Sequence, residues 1–215
     1  MPKTLKIVII GAGSKFTRGV LADIAASVDL ASYDLKVVLV DLDERVLKQV
    51  VEIGENIRCH YGSAMTIEAT TDRARALPQA DYVVLSVERR RNELWEQDFR
   101  VPLSFGFRHV LGENGGPGAM FHALRNYEIV LPICRDMERL CPNATLLNFT
   151  NPEVRIVMAI TRLTQVKVIG LCHGVLNCRK RICKLLDKTE DELHIETGGI
   201  NHFFWVLKVR HVQTG

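Results

Sequence analysis

One stretch decides the predicted fold: LKIVIIGAGSKF, residues 5–16. Its first half, Leu5–Ile10, is an apolar run rich in β-branched residues, which is typical of a buried strand. The two glycines that follow predict a tight turn. Apolar residues then recur at helical spacing from Phe16 to Ala26, which indicates a helix. The chain is therefore predicted to begin with a strand, a glycine turn and a helix.

The same alternation of strand and helix continues along most of the chain. Strand-like runs span 35–40, 66–70, 82–87, 145–149 and 166–172, and helical periods span 44–61 and 121–140. Parallel neighbours need a helix-length connection, and such crossovers are right-handed. The sequence thus predicts an α/β fold, a Rossmann-type doubly wound parallel sheet over residues 1–172.

The pattern changes after Cys172. A short helix around 180–186, a turn at Gly198-Gly199 and a strand over 203–209 that has no successor are predicted there. Residues 173–215 are interpreted as the beginning of a second, α+β catalytic domain that is incomplete in this chain.

The composition excludes several classes of protein. The net charge of +3 comes from 28 basic and 25 acidic residues spread along the sequence, which argues against nucleic acid as a partner. No run is long enough to span a membrane and the start lacks a leader pattern, so a cytoplasmic protein without membrane partners is expected. The six cysteines lack the spacing of a disulfide scaffold, so reduced thiols are expected, at least one of them functional.

The glycine turn predicts a dinucleotide site. Gly11 permits the tight turn, and Gly13 lets the backbone approach a pyrophosphate at the positive end of the following helix. Phe16 stands where a third glycine is usual, so a purely structural turn stays open. Asp41 ends the next strand, where a carboxylate accepts both ribose hydroxyls of NAD and repels a 2′-phosphate, although it can also be a plain turn residue. The predicted NAD-binding residues are Gly11, Gly13, Ser14, Lys15, Phe16 and Asp41.

Four further motifs carry a resemblance to a known family. They are GENGGPG at 112–118, NFTNP at 148–152, GLCHG at 170–174 and GINH at 199–202. In this order, and with the glycine turn, the chain resembles glycoside hydrolase family 4 over essentially its whole length. The resemblance implies a glycosidase that uses NAD and Mn(II).

The resemblance also assigns the central roles. It makes Cys172 and His202 the metal ligands and His173 the general acid that protonates the leaving glycosidic oxygen. A thiolate and an imidazole can share an ion and leave positions open for substrate, although their softness alone suggests zinc, so manganese comes from the family. Structural roles stay open: a buried thiol for Cys172, an orienting partner for His173 and a satisfied histidine for His202.

The sugar is predicted to contact Asn151, Glu113 and Asn114, as the resemblance implies, although turn and loop roles explain these residues as well. Family members that act on 6-phosphoglycosides carry an arginine at the position of Trp95, ahead of a stretch that matches 98–102. An unphosphorylated α-glycoside is therefore expected, with α-galacturonide favoured over α-galactoside and α-glucoside. Arginine offers a uronate a bidentate fork, and a solvated basic loop is the alternative interpretation for the candidates Arg89, Arg90, Arg91 and Arg100.

The family's mechanism implies oxidation at sugar C3 by NAD, loss of the C2 proton, elimination of the aglycone, and return of water and hydride. The tyrosine base of this mechanism is expected beyond Gly215, so the chain is expected to lack part of its active site. A homo-oligomer, dimer or tetramer, is expected for the whole protein. Two alternatives remain: an NAD-dependent 2-hydroxy-acid dehydrogenase, and an NAD-binding module without turnover.

Overall fold

One parallel sheet organises the molecule, in a computed structural model that describes residues 3–109, 113 and 115–215. The strands are β1 (Thr4–Ile10), β2 (Asp34–Val40), β3 (Thr66–Thr70), β4 (Tyr82–Leu85), β5 (Thr145–Asn148) and β6 (Lys167–Gly170). They lie in the order β3-β2-β1-β4-β5-β6, and every pair is parallel. The Rossmann-type doubly wound sheet is therefore confirmed, and its order changes direction between β1 and β4.

Helices cover both faces of the sheet. They are α1 (Phe16–Ala26), α2 (Glu44–Tyr61), α3 (Arg73–Ala76), α4 (Arg91–Ser104), α5 (Gly116–Leu140), α6 (Glu153–Leu163) and α7 (Gly174–Leu186). Ile7 and Ile9 of β1 face a core shared with α1 and α2. Val8 and Ile10 face a second core shared with α3, α5 and α6. Because β1 is buried on both sides, its sequence is continuously apolar rather than alternating.

Local signals set the ends of α2. The Asp43 carboxylate caps its beginning, accepting hydrogen bonds from the amides of Arg45 and Val46 at 2.9 and 3.2 Å. Gly62 ends the helix in the left-handed region, with φ at +63°. Aspartate is favoured at the beginning of a helix and glycine just past its end. These caps agree with the bounds 44–61 that the helical period predicted.

An antiparallel hairpin follows α7. It consists of β7 (Leu193–Ile200) and β8 (Phe203–His211). The turn predicted at Gly198-Gly199 is wrong, because both glycines lie inside β7. A Cβ on Gly199 would lie 2.5 Å from Cα of Phe204, so this glycine permits a close approach of the two strands. The division of the chain at residue 172 stays a prediction.

Three other sequence predictions need correction. Helices α4 and α6 were not predicted: α4 has a weakly apolar sequence with Pro102 inside it, and α6 begins directly after Asn151-Pro152, a pair that indicates a turn. Strand β6 ends at Gly170, so Cys172 lies in the connection to α7 rather than at the strand end. Among the described residues, no helix is long and apolar enough to cross a membrane.

The sheet core yields a direct test of stability. Leu146 on β5 is fully buried, so Leu146→Ala leaves a cavity and is expected to lower the free energy of unfolding by about 2–5 kcal/mol. The matched control is Leu42→Ala, because Leu42 is 90% exposed and its removal is expected to change stability by less than about 0.5 kcal/mol. Urea titration followed by circular dichroism measures both. Equal losses for the two variants would contradict this account of the core.

Candidate active site

The glycine turn lies between the ends of two strands. Gly11 has a φ of +82°, and the amides of Gly11 and Ala12 both donate to the Val40 carbonyl of β2, at 2.9 and 3.0 Å. A Cβ on Gly11 would lie 2.1 Å from the carbonyl oxygen of Ser86, just past β4. Only glycine fits this conformation and this space. The turn is thus fixed where the strand order changes direction.

Asp41 follows β2 and contacts the second glycine. Its Oδ2 accepts a hydrogen bond from the Gly13 amide at 2.8 Å, and its Oδ1 accepts one from the Asp43 amide at 3.2 Å. A Cβ on Gly13 would lie 2.6 Å from a methyl group of Val46 and 3.0 Å from Asp41 Oδ2. The structure therefore brings Asp41 against the glycine turn, and each carboxylate oxygen keeps room for a further donor.

The start of α1 completes the turn. The hydroxyls of Ser14 and Ser86 are 2.8 Å apart, and the Phe16 amide donates to Ser14 Oγ at 3.3 Å. Lys15 is exposed and precedes the helix without capping it through its side chain. The predicted NAD-binding residues therefore lie together, at the positive end of an 11-residue helix.

Aromatic rings connect the glycine turn to the GLCHG motif at 170–174. Phe16 stacks on His173, with ring centroids 5.4 Å apart and planes inclined by 7°. Phe149 lies beside both rings, 5.6 Å from Phe16 and 6.3 Å from His173. The predicted general acid therefore lies next to the predicted dinucleotide turn, although the two are far apart in sequence.

Cys172 and His202, the two predicted metal ligands, lie together. Cys172 is exposed, and its Sγ accepts a hydrogen bond from the Gly174 amide at 3.3 Å, at the beginning of α7. His202 lies in the turn between β7 and β8, with φ at +59°. The hydrogen bond to Glu113 raises the pKa of the His202 imidazole, burial acts against the rise, and Cys172 adds to it.

Glu113 belongs to the same cluster. Its side chain is only 6% exposed, and its Oε1 lies 2.8 Å from Nδ1 of His202. Burial opposes ionisation of this carboxyl, but the hydrogen bond and charge of His202 outweigh burial and hold the pKa of Glu113 below its usual value. Glu113 was predicted to bind sugar; the structure shows it in contact with a predicted metal ligand. Asn114, predicted beside it, lies outside the described residues.

The loop of Asn151 is fixed by its neighbours. The buried Asn148 side chain accepts from the Thr150 amide at 3.2 Å and donates to the Thr150 carbonyl at 3.0 Å. Thr150 Oγ1 accepts from the Val87 amide beyond β4, at 3.0 Å. The Asn151 carbonyl accepts from the Asn126 side chain, and a cis peptide bond leads into Pro152. Polar contacts thus hold this loop at the carboxyl edge of the sheet.

Sequence reasoning missed Glu153. It opens α6, and burial raises the pKa of its carboxyl while His202 acts in the opposite direction. A Cβ on Gly170 would lie 1.6 Å from Glu153 Oε1, so the glycine at the end of β6 leaves the space that this carboxylate fills. A signal existed in the sequence: an acid directly after the Asn-Pro motif, at the carboxyl edge of a parallel sheet.

The candidate metal centre brings together two predicted ligands, Cys172 and His202. Within residues 3–109, 113 and 115–215, no three His, Cys, Asp or Glu side chains converge closely enough to hold a metal ion. Cys172 and His202 therefore form a pair, and Glu113 contacts Nδ1 of the histidine. A pair of this kind leaves coordination positions for other oxygen ligands.

Helix α4 and the residues just before it include the side chains predicted to distinguish a phosphorylated from an unphosphorylated substrate. Trp95 is partly buried on this helix, and its indole N–H has no hydrogen-bond partner among the described residues. Three of the nearby arginines are ion-paired: Arg90 with Glu93, Arg91 with Glu88, and Arg100 with Glu96. Arg89 is exposed and has no ion-pair partner in the part of the chain that the structure describes.

Known proteins resemble this chain over its length. An alpha-glucosidase of Erwinia rhapontici is 35% identical over 213 residues, which are 98% of this chain and 47% of that protein. An alpha-galacturonidase of Thermoanaerobacter italicus is 27% identical, over 96% of this chain and 46% of that protein. The chain thus spans about half the length of these relatives.

Solved structures agree with the sequence relatives. The crystal structure of a 6-phospho-alpha-glucosidase from gut microorganisms, in complex with NAD and Mn²⁺, superposes with a TM-score of 0.81 at 25% identity, covering 99% of this chain and 48% of that one. The model of the family 4 glycosyl hydrolases matches residues 6–188. This chain therefore belongs to glycosyl hydrolase family 4.

Proposed function

We propose that this protein takes part in the hydrolysis of an unphosphorylated α-glycoside, as a glycosidase that uses NAD and Mn(II) as cofactors. One observation carries the proposal: Cys172 and His202, on separate elements, meet at the edge of the sheet where the glycine turn lies. His173 stacks on Phe16 of that turn and so connects the two halves of the site. The family supports the reaction class.

The residues of the turn fit NAD. Gly11 and Gly13 keep the backbone free of side chains where a pyrophosphate would approach, and α1 directs its positive end there. Asp41 would accept the ribose hydroxyls, and its charge disfavours the 2′-phosphate of NADP. A 6-phospho-alpha-glucosidase similar to this chain was crystallised with NAD and Mn²⁺.

Cys172 and His202 fit a divalent ion. The Cys172 thiol accepts a backbone hydrogen bond from Gly174 at the beginning of a 13-residue helix. His202 stands beside it with Nδ1 occupied by Glu113, which leaves Nε2 as the nitrogen for an ion. When bound, NAD would accept and return a hydride and the ion would stabilise negative charge on neighbouring substrate oxygens.

The chain's own residues then position substrate and move protons. His173 is exposed beside the glycine turn, where its imidazole would donate a proton to the leaving glycosidic oxygen. Asn151, at the fixed loop after β5, would donate to and accept from sugar hydroxyls. Phe16 and Phe149 flank the His173 ring and restrict its orientation.

The proposed substrate is an α-galacturonide. Trp95 takes the place of the arginine that phosphoglycosidases carry, so a cation for a 6-phosphate is missing at that position. Arg89 follows β4, is exposed and lacks an ion-pair partner within the described residues, so it would be available to a uronate. A homo-oligomer remains our expectation for the whole protein, and exposed side chains on β8 offer an apolar surface: Phe203, Trp205 and Leu207.

The metal pair has a direct test in Cys172→Ser. Loss of the thiolate is expected to weaken Mn(II) binding more than about 100-fold, because even residues behind the ligands are worth about 10- to 100-fold. Calorimetric titration with MnCl₂ measures the change. The control is Cys178→Ser, a half-buried thiol on α7 that lies outside the pair. Wild-type-like affinity in Cys172→Ser would rule out Cys172 as a ligand.

Asp41→Asn tests the dinucleotide site. The amide keeps an acceptor for the Gly13 N–H but loses the charge, so NAD affinity is expected to fall about 10- to 100-fold and the preference for NAD over NADP to narrow. Asp43→Asn is the control, because asparagine caps a helix about as well as aspartate does. Calorimetric titration with NAD and NADP measures both variants. An unchanged preference in Asp41→Asn would contradict the assignment.

The sugar is tested on the whole protein with nitrophenyl α-galacturonide, α-galactoside and α-glucoside, in the presence of NAD and Mn(II). We expect the highest kcat/KM for the galacturonide, and a drop of about 10- to 100-fold for that substrate alone in Arg89→Gln, because one charge-assisted hydrogen bond is lost. Arg100→Gln, which breaks an exposed ion pair, is the control. Net NADH production from a 2-hydroxy acid would instead identify a dehydrogenase.

A further inference from the structure

A buried carboxylate stands behind the predicted metal ligand His202. Glu113 is 6% exposed at its side chain, and its Oε1 lies 2.8 Å from Nδ1 of His202, a residue 89 positions along the chain. Its other oxygen, Oε2, is buried without a hydrogen-bond partner among the described residues. A buried carboxylate with a single polar contact is costly to keep, so that contact has to be strong.

The contact fixes the state of the imidazole. A carboxylate can only accept, so it holds the hydrogen of the neutral ring on Nδ1. The lone pair is then left on Nε2, the nitrogen that remains for Cys172 and for an ion beside it. Without the carboxylate, a neutral histidine commonly carries its hydrogen on either nitrogen, and a ring protonated at Nε2 cannot bind a metal there.

Besides Glu113, the ring has a hydrogen bond to the Cys172 side chain, but a thiol can donate or accept and so fixes no tautomer by itself. His202 lies in a tight turn of a hairpin whose second strand is mostly exposed, and its φ of +59° is uncommon for a residue with a side chain. Glu153 also faces His202, but only through its charge, since no hydrogen bond joins the two. Glu113 is therefore the group that can set both the orientation and the tautomer of the ring.

We propose that Glu113 is a positioning residue: its carboxylate holds the His202 imidazole with Nε2 free toward Cys172, and so prepares the pair for a divalent cation. Metal-binding histidines in general donate their second ring N–H to a carboxylate, a backbone carbonyl or water. The metal part of this proposal rests on the proposed function, whereas the hold on the ring does not. This role replaces a direct contact of Glu113 Oε1 with sugar.

Two readouts on the protein test the proposal. Long-range ¹H–¹⁵N NMR of the metal-free protein, at a pH where His202 is neutral, is expected to show its hydrogen on Nδ1. In Glu113→Gln the ring is expected to shift toward a mixture of tautomers, because an amide can donate as well as accept. Titration with MnCl₂, followed by the EPR signal of free Mn(II), is expected to give an affinity about 10- to 100-fold weaker in this variant.

The matched control is Glu96→Gln, which makes the same chemical change at an exposed ion pair on α4. Glu113→Asp guards against misfolding, because it keeps the charge and is expected to retain part of the affinity. An unchanged tautomer and unchanged Mn(II) affinity in Glu113→Gln would overturn the positioning role. Absence of Mn(II) binding in the wild type, with the tautomer shift intact, would overturn the proposed metal function and support the hold of Glu113 on the ring.

Discussion

Parallel pairing of all six strands is the constraint on which the rest of this structure depends. Parallel strands carry all their carboxyl ends at one edge, so residues that follow different strands become neighbours without any signal in the sequence between them. Asp41 follows β2, Ser86 follows β4, and Cys172 follows β6. Gly11 contacts the first two of these connections because the strand order changes direction beside β1.

The sheet brings the loops of the site to one edge, and hydrogen bonds within those loops fix their conformation. Asn148 is fully buried and uses both ends of its amide on Thr150, whose hydroxyl then holds the backbone beyond β4. The buried amide of Asn148 and the hydroxyl of Thr150 thus have partners, as polar groups away from water generally require. The loop of Asn151 therefore follows a buried strand and is fixed by hydrogen bonds of Asn148, Thr150 and Asn126.

The strands and the long helices could be predicted from sequence because their signals are local. Continuous apolar runs predicted β1 and β2, and helical periodicity predicted α2 with its observed bounds. Helix α4 escaped prediction because its apolar residues form no clear face, and α6 because the Asn-Pro pair before it indicates a turn. The double glycine at 198 and 199 was taken for a turn because glycine favours turns, whereas here it lets two strands approach.

The residues of the site also divide into those with a local signal in the sequence and those without one. The glycine turn and the Cys-His and Asn-His motifs are short patterns, so the residues in them could be named in advance. The contacts of Glu113 with His202 and of Glu153 with Gly170 join distant parts of the chain, and only the folded sheet shows them. Their signal in sequence was an acid beside a glycine-rich or Asn-Pro motif, which also fits an ordinary loop.

The hairpin of β7 and β8 gives the Glu113 contact a second consequence. Two strands alone are marginally stable in water, and most side chains of β8 are exposed. Its turn places His202 in the left-handed region, which costs about 1–3 kcal/mol for such a residue. The charge-assisted hydrogen bond to Glu113 offsets a cost of this size, at about 1.5–3 kcal/mol. One interaction therefore joins the hairpin to the loop before α5 and holds the His202 imidazole on the side of its Nδ1.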